Sequence, residues 1–180
     1  MEILALLEAL RADYLREFEA AYYQQIEVYE QVFPEIAFEI SEEGPYKRLY
    51  VVDLMGRNGD ENSVIEVGTS RAAYGGEVSL QYKGLTIEFG NVSWDSLRFI
   101  LRPAPEELVG FETWFDKWID LEGTRHVDGQ IMGDVIHSSR LENGLVEVDF
   151  GSAPTKSAVE LFDIFDLNNV KKVFVLSSRE

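Results

Sequence analysis

The first part of the chain carries apolar side chains at steps of three and four residues. The apolar positions are Ile3, Leu7, Leu10, Tyr14, Phe18, Tyr22, Ile26, Tyr29 and Val32. This period is that of an amphipathic α-helix, and no glycine or proline interrupts it. Because a proline disfavours the α conformation at the residue before it, Pro34 predicts one long helix over residues 1–33. A helix of this length is typical of one that crosses a whole sheet or packs on another subunit.

From residue 35 the apolar period changes to two, which is the period of half-buried strands. Turn-forming residues punctuate the alternation at Gly44-Pro45, at 56–60, around Tyr74-Gly75-Gly76 and at Lys83-Gly84. Short strands joined by short turns predict an antiparallel meander over 35–101. Within it, residues 91–101 fit a short helix and a further strand equally well.

The second half of the chain predicts further helices and strands. Glu106 and Glu107 near a proline, with Gly123 later, favour a helix over 105–122. Residues 131–177 then predict a hairpin, a helix and a strand. The hairpin begins with a strand centred on Val135 and Ile136 and turns at Asn143-Gly144, a strong two-residue hairpin signal. The strand–helix–strand from Leu145 to Leu176 is expected to pair in parallel through a right-handed crossover.

Together these elements predict a single α+β domain over residues 1–180. The expected architecture is a largely antiparallel or mixed sheet of about six to seven strands. The long N-terminal helix and two further helices pack on that sheet. No internal repeat or low-complexity tract divides the chain.

The composition of the chain excludes several kinds of functional site. Hydrophobic residues make up 46% of the chain, enough for a real core, and there is no cysteine. The absence of cysteine excludes disulfides, thiolate metal sites and a cysteine nucleophile. The first residues lack a basic segment and carry two glutamates, and no apolar run approaches membrane-spanning length. We therefore expect a cytoplasmic protein with no membrane partner and no cofactor.

Charge is the outstanding property of the composition, with a formal net charge of −17. Residues 1–45 hold 11 acidic and 2 basic residues, and residues 105–128 hold 7 and 2, whereas residues 46–104 hold 7 of each. Such a field repels phosphate backbones, so no nucleic-acid partner is expected. A basic protein is attracted by the same field. The alternative is that the acids only keep the protein soluble.

Two helical segments carry the candidate partner-binding residues. In the helix over 105–122, Glu112, Asp116 and Asp120 fall four residues apart, and Trp114 lies at the margin of the apolar face. Like charges at that spacing repel each other, so the stripe is a candidate for contact with a divalent cation through oxygen ligands or with a basic partner. In the first helix, tyrosine mixed with carboxylates is typical of an interface. The candidates there are Glu19, Tyr23 and Glu27.

A weaker ligand site is predicted where a strand meets the third helix. Asp149 and Ser152 flank Gly151 there, and His137 precedes the hairpin. Backbone N–H groups at a helix N-terminus can receive an anion, although Ser152 also fits the role of N-cap. No serine-hydrolase elbow and no histidine-based metal site is present in the sequence.

Three functions follow as hypotheses. The first is a non-enzymatic acidic binding protein of the immunity or inhibitor type that neutralises a basic protein; no motif assigns the chain to a family of such proteins. The second is a small-ligand-binding protein or enzyme with a pocket near His137, Asp149 and Ser152. The third is a self-associating subunit, a homodimer through the long N-terminal helix.

Overall fold

The computed structural model describes residues 2–39, 49–69 and 75–177. The predicted turn at Gly44-Pro45 and residue Tyr74 lie outside these ranges. The described elements are α1 (Ile3–Gln25), β1 (Gln31–Glu39), β2 (Leu49–Asn58), β3 (Glu61–Ile65), β4 (Val78–Tyr82), β5 (Leu85–Phe89), a 3-10 turn (Trp94–Ser96), β6 (Leu97–Arg102), α2 (Phe111–Ile119), β7 (Ser138–Glu142), β8 (Leu145–Asp149), α3 (Thr155–Leu167) and β9 (Lys172–Ser177).

The α+β class is confirmed, but the strands form two sheets and not one. A three-stranded antiparallel sheet has the order β1-β2-β3, and a six-stranded mixed sheet has the order β4-β5-β9-β6-β8-β7. The prediction of about six to seven strands in one sheet was therefore wrong, with nine strands described. Alternation of apolar residues shows which residues face a core, but it does not show which strands pair.

One face of the six-stranded sheet forms the main core with the helices. Its inward side chains alternate along each strand, as in β6, where Leu97, Phe99 and Leu101 are buried and Arg98 and Ile100 are not. Aromatic rings fill the space between this face and α3. Phe99 lies 5.9 Å from Phe162 and 5.7 Å from Phe165, measured between ring centroids. Helix α1 joins the same core through Leu6, Leu7, Leu10, Tyr14 and Phe18.

The first helix is shorter than predicted. It ends at Gln25, and after a short turn the chain enters β1 at Gln31. The residues after the helix are rich in β-branched and aromatic types, which favour strands. Strand β1 pairs antiparallel with β2, from Gln31 opposite Arg57 to Glu39 opposite Leu49. Because β1 is an edge strand, it accommodates Pro34, which lacks an N–H.

The helix predicted over 105–122 was also too long, because α2 covers only Phe111–Ile119. Gly110 precedes it with φ 94°, a left-handed conformation that a helix cannot continue through, and Asp120 follows it with φ 46°. The strand predicted around Val135 and Ile136 was wrong, because β7 begins at Ser138.

The other predictions for the second half were partly right. Residues 91–101 contain both a 3-10 turn and most of β6. Asn143 and Gly144, with φ 47° and 76°, form the predicted hairpin turn between β7 and β8. The strands around α3 run parallel to each other in one sheet, as expected, but the expected direct pairing between them was wrong. Strands β8 and β9 both run antiparallel to β6, which lies between them, and β9 pairs in parallel with β5.

Glu160 on α3 connects that helix to α2. Its carboxylate accepts hydrogen bonds from Lys117 Nζ at 2.7 Å and Trp118 Nε1 at 2.9 Å.

We expect Glu160→Gln to lower the free energy of unfolding by about 0.5–1 kcal/mol, because a half-exposed ion pair contributes little and the amide oxygen still accepts from the indole. Urea denaturation measures the change. The control Glu112→Gln, on the exposed face of α2, should stay within about 0.5 kcal/mol of wild type; an equal loss in both variants contradicts the role of Glu160.

Candidate functional site

His137 lies where the two sheets meet. Its backbone N–H donates to the Asp149 carbonyl of β8 at 2.9 Å, and its own carbonyl accepts from the Val51 N–H of β2 at 2.7 Å. The imidazole is turned inward and its side chain is only 2% exposed. The residue therefore connects the three-stranded sheet to the six-stranded sheet through its backbone and buries its ring at the junction.

Three carboxylates surround the buried imidazole. Glu35 Oε1 lies 2.8 Å from Nε2, and Asp53 Oδ1 lies 2.9 Å from Nδ1. The contact with Asp53 is a close charge contact, because Nδ1 has no hydrogen-bond partner of acceptable angle. Asp149 Oδ1 is farther away, at 4.0 Å from Nδ1. We call His137, Glu35, Asp53, Asp149 and Tyr14 the junction cluster.

Local strand geometry explains how two acids reach the same ring. Because Pro34 pairs with Leu54 and Ile36 with Val52, Glu35 lies opposite Asp53 across the β1–β2 ladder. Glu35 also has φ 49°, an unusual value for a residue with a side chain. Left-handed backbone of this kind costs about 1–3 kcal/mol and persists where the surroundings hold it.

Further hydrogen-bond donors reach each of the three carboxyl groups of the junction cluster. The Tyr14 hydroxyl donates to Asp53 Oδ1 at 2.6 Å, and the Val67 N–H donates to Asp53 Oδ2 at 2.7 Å. The Gly133 N–H donates to Glu35 Oε2, and the Gly151 N–H donates to Asp149 Oδ1 at 2.9 Å. Buried charges are retained in proteins when they are paired and hydrogen-bonded in this manner.

The pKa values within the junction cluster diverge. Burial lowers the pKa of His137, but the contacts with Asp53 and Glu35 and the charge of Asp149 outweigh it, so that this pKa lies well above its ordinary value. For Asp53, burial raises the pKa, but His137, the Tyr14 hydroxyl and the Val67 N–H outweigh it, so the net pKa is lowered. At neutral pH the centre of the cluster is an imidazolium paired with a carboxylate.

Asp149 and Tyr14 hold their protons more strongly than usual. Burial is the main cause at Asp149, followed by an opposing effect of His137 and a reinforcing effect of Asp53, and its pKa rises to about 7. Burial also raises the pKa of Tyr14 well above its ordinary value, and the charges of Asp149 and Asp53 act in the same direction. The tyrosine therefore donates its proton to Asp53 throughout the neutral range.

The His137 imidazole occupies the space that a side chain at position 151 would fill, so this position requires glycine. A Cβ atom at this position would lie 2.1 Å from His137 Cδ2 and 2.3 Å from Nε2, far closer than any van der Waals contact. The residue also has φ 48°, which glycine adopts readily. The segment Asp149–Ser152, which the sequence suggested as an anion site, is thus shaped around a histidine and not around an open cavity.

Of the three predicted ligand residues, two lie together in the junction cluster and the third does not. His137 and Asp149 share the junction cluster, whereas Ser152 Oγ accepts from the Val135 N–H at 3.2 Å and is wholly buried. The interpretation of Ser152 as a helix cap was wrong, because α3 begins at Thr155 after Pro154 and has no side-chain cap. The backbone carbonyl of Ser152 instead accepts a hydrogen bond from Arg11 Nη2 at 2.7 Å.

The chemistry available to the junction cluster is limited by its burial. A nucleophile or general base must reach a substrate, but both His137 and Ser152 are closed off from solvent. Within residues 2–39, 49–69 and 75–177, no group of three or more His, Asp or Glu side chains is arranged to hold a metal ion. The geometry favours an internal charged network that joins two sheets.

Sequence reasoning missed the acids that face His137. Asp53 stands inside the apolar stretch Leu49–Met55, and a charged residue in such a buried strand is a signal of a paired partner. Glu35 offered no comparable signal, because it follows a proline and resembles an ordinary polar strand position. Its partner lies 102 residues away along the chain.

The predicted partner-binding residues are partly exposed and partly not. Glu19, Tyr23 and Glu27 are exposed near the end of α1, and Glu112 and Asp116 are exposed on α2; the exposure of Tyr23 is 52%. The other two predicted residues, Asp120 and Trp114, are not exposed.

Asp120 and Trp114 are engaged inside the protein. The Asp120 carboxylate is turned back to accept from the Thr124 and Arg125 N–H groups at 3.0 and 2.9 Å, and its side chain is 6% exposed. Trp114 is 3% exposed and donates from Nε1 to the Ser157 carbonyl at 2.8 Å. Neither side chain is presented to a partner, so the acidic stripe on α2 reduces to Glu112 and Asp116.

Comparisons with known proteins find no matching family model, no matching curated protein and no matching solved structure. None of the described helices has the length and hydrophobicity to cross a bilayer.

Proposed function

We propose that this protein is a non-enzymatic acidic binding protein of the cytoplasm, of the immunity or inhibitor type, that neutralises a basic protein partner. The observation that carries the proposal is a set of exposed carboxylates whose neighbouring cations are committed elsewhere. The carboxylates belong to the end of α1 and to α2. Electrostatic complementarity of this kind speeds association and selects against wrong partners.

The end of α1 offers acids beside exposed apolar area. Glu19 and Tyr23 lie one helical turn apart, and Glu27 follows in the turn after the helix. Ile26 and Val28 beside them are 41% and 63% exposed. Mixed aromatic, aliphatic and charged surface is the composition of an interface with a polar rim.

The cations of α1 do not neutralise these acids. Arg16 pairs with Asp13, three residues before it on the helix. Arg11 donates to the Ser152 and Ala153 carbonyls and to Asp134, and so faces the protein interior. Among the described residues, no cation lies within ion-pairing distance of Glu19 or Glu27.

The cations around α2 are committed in the same way. Lys117 pairs with Glu160 and lies 4.7 Å from the centroid of the Trp118 ring. Arg125 Cζ lies 5.0 Å from the centroid of the same ring, and its Nη1 donates to the Lys117 carbonyl at 2.7 Å. In the part of the chain that the structure describes, Glu112 and Asp116 have no ion-pair partner, which leaves their charge directed at solvent.

The alternatives have less support. An enzyme or ligand site requires an accessible cavity that holds His137 or Ser152, and both are buried. Self-association was expected to use the long N-terminal helix, but the apolar stripe of α1 packs within the same chain through residues such as Leu10 and Phe18. A dimer through this helix stays a prediction that would have to use its exposed residues.

Affinity capture tests the proposal with matched variants. The immobilised chain is incubated with extract of its source organism at low and high salt, and the retained proteins are identified and purified. We expect a basic protein retained at low salt, with affinity about tenfold or more weaker for the variant Glu19→Gln, Glu27→Gln, Glu112→Gln, Asp116→Asn. The interaction should weaken with salt, since exposed charges are screened.

The control variant removes the same charge from the neutral middle segment. It carries Asp60→Asn, Glu61→Gln, Glu66→Gln and Glu77→Gln, four exposed acids. If net charge alone matters, both variants lose affinity equally, and the proposal of specific acidic faces fails. Retention of no basic protein by the wild-type chain at low salt contradicts the binding function itself.

A further inference from the structure

A groove runs between strand β1 and the segment that follows α2. It consists of two adjoining cavities of about 320 and 340 Å³. Both cavities are lined by Pro34 and Ile36 of β1 and by His126 and Ile131 of the segment. The four shared residues place the two cavities side by side along β1. We call this groove the β1 groove.

The walls of the β1 groove are mainly apolar. Tyr22 and Phe33 line one end, and Ile119 and Leu121 line the other. Leu121 is 57% exposed and so presents apolar area at the edge of the groove. Each cavity is at the small end of the range for ligand pockets, a size that suits side chains of a partner.

Acidic residues border this apolar surface. Glu122 lies between Leu121 and Gly123, which both line the groove, and Asp128 lies just before Gly129, which lines it as well. Both acids are exposed. Two of the described cations lie near the groove: Arg125 is turned inward onto Trp118 and backbone carbonyls, and Arg57 lies 5.1 Å from the centroid of the Phe33 ring. The excess of acidic residues is therefore on the side formed by the segment after α2.

We propose that the β1 groove is the docking site for a basic protein partner, which inserts an apolar side chain flanked by lysines or arginines. This inference rests on the proposed function and assigns it a location. The apolar lining accepts the inserted side chain, and Glu122 and Asp128 face its basic flanks. A second copy of this chain is a poor occupant, because each copy carries a net charge of −17.

The edge of β1 favours anchoring by side chains over strand addition. Partners that extend a sheet need a row of free N–H and C=O groups on the edge strand. Pro34 lines both halves of the groove and has no N–H to offer. Proline on an edge strand is one of the features that block pairing with another chain.

The test uses the full chain labelled with ¹⁵N and a panel of short synthetic peptides. Each peptide places one Leu, Phe, Tyr or Trp between pairs of lysines or arginines. We expect at least one peptide to shift the amide signals of Ile36, His126 and Ile131 in a saturable manner. The matching peptide with glutamates in place of the basic residues should produce no such shifts. Shifts spread over the other exposed acids, or no binding by any peptide, would overturn the docking site.

Matched variants separate the groove from general charge and hydrophobicity. Leu121→Ser should weaken peptide binding at least fivefold, whereas Leu167→Ser, which removes an even more exposed leucine from α3, should not. Glu122→Lys with Asp128→Lys should weaken it at least tenfold, whereas Asp60→Lys with Glu61→Lys makes the same change in net charge and should have a smaller effect. Equal effects within either pair contradict the site.

The same variants distinguish failure of the site from failure of the function. If the basic partner from affinity capture binds the Leu121→Ser and Glu122→Lys/Asp128→Lys chains as tightly as wild type, the β1 groove is not its docking site, although the binding function stands. If peptides bind the groove but no basic protein is captured from the extract, the proposed function fails while the groove remains a binding surface for basic segments.

Discussion

Replacement of His137 by alanine is expected to lower the free energy of unfolding by about 3–5 kcal/mol, because it leaves the Glu35 and Asp53 carboxylates buried without their cation. Their side chains are 4% and 9% exposed, so water cannot solvate them as it solvates a surface acid. Removal of one partner of a buried pair is costly for this reason, even where the pair itself contributes little net stability. Denaturation in guanidinium chloride measures the loss.

Two further variants show whether charge is the cause. His126→Ala removes an exposed histidine and should change the free energy of unfolding by no more than about 0.5 kcal/mol. The double variant His137→Ala with Glu35→Gln should lose less free energy of unfolding than the two single variants lose in sum, because the amide does not need a cation. A loss at His137 below about 1 kcal/mol, or strict additivity in the double variant, contradicts a charge-paired junction.

Local patterns in the sequence predict those elements whose stability is local. The Asn143-Gly144 turn demands left-handed backbone that these residues tolerate, and the apolar face of α3 repeats at helical spacing. The end of α1 could not be predicted in this way. Ile26, Tyr29 and Val32 continue the helical period by coincidence, but long-range pairing of β1 with β2 outweighs it. Periodicity contains no information about a partner strand that begins at Leu49.

The same limit applies to the junction cluster. His137 and Asp149 attracted attention because they stand near a strand–helix connection, and the structure does bring them together. Their decisive partners come from the other sheet, with Glu35 opposite Asp53 across a ladder that local sequence does not reveal. The left-handed conformation of Glu35 depends on this tertiary setting, since a glutamate has no intrinsic preference for it.

Two groups of acidic residues differ in role, those buried at the junction and those exposed on the surface. Acids at the junction are paired with an imidazolium and accept hydrogen bonds from backbone amides and a tyrosine hydroxyl, and they connect the two sheets. Acids such as Glu112 and Glu122 have no such partners among the described residues and point to solvent. Only the second group is available to a basic partner, so stability and binding can be altered separately by mutation.

The pH dependence of stability should depend mainly on Asp149. Its pKa of about 7 in the folded protein exceeds the ordinary value of 3.8, so the folded state binds more protons than the unfolded state between these pH values. The free energy of unfolding therefore falls as the pH rises from about 4 through 7. Three pKa units correspond to about 4 kcal/mol, an upper bound because the side chain is 25% exposed.

His137 and Asp53 affect stability outside that window. The raised pKa of His137 contributes stability that is fully present below its ordinary value of 6.5 and is lost as the pH rises through the raised value. The lowered pKa of Asp53 contributes stability that is present above 3.8 and is lost as the pH falls through the lowered value. The Asp53 contribution should persist when Asp149 is replaced and provides an internal reference. The pKa of His137 should move toward its ordinary value in that variant, because the charge of Asp149 no longer raises it.

Asp149→Asn is expected to raise the free energy of unfolding at pH 8 by about 2–4 kcal/mol and to leave it nearly unchanged at pH 4, where the wild-type carboxyl is already protonated. The asparagine oxygen can still accept the Gly151 N–H that Asp149 Oδ1 accepts at 2.9 Å, so the backbone turn is kept. Urea denaturation at half-unit steps between pH 4 and 8 gives both profiles, with the exposed Asp60→Asn as control. A variant profile that runs parallel to wild type across this range, or one that lies below it at pH 8, would show that Asp149 is ionised at little cost and that burial does not govern its proton.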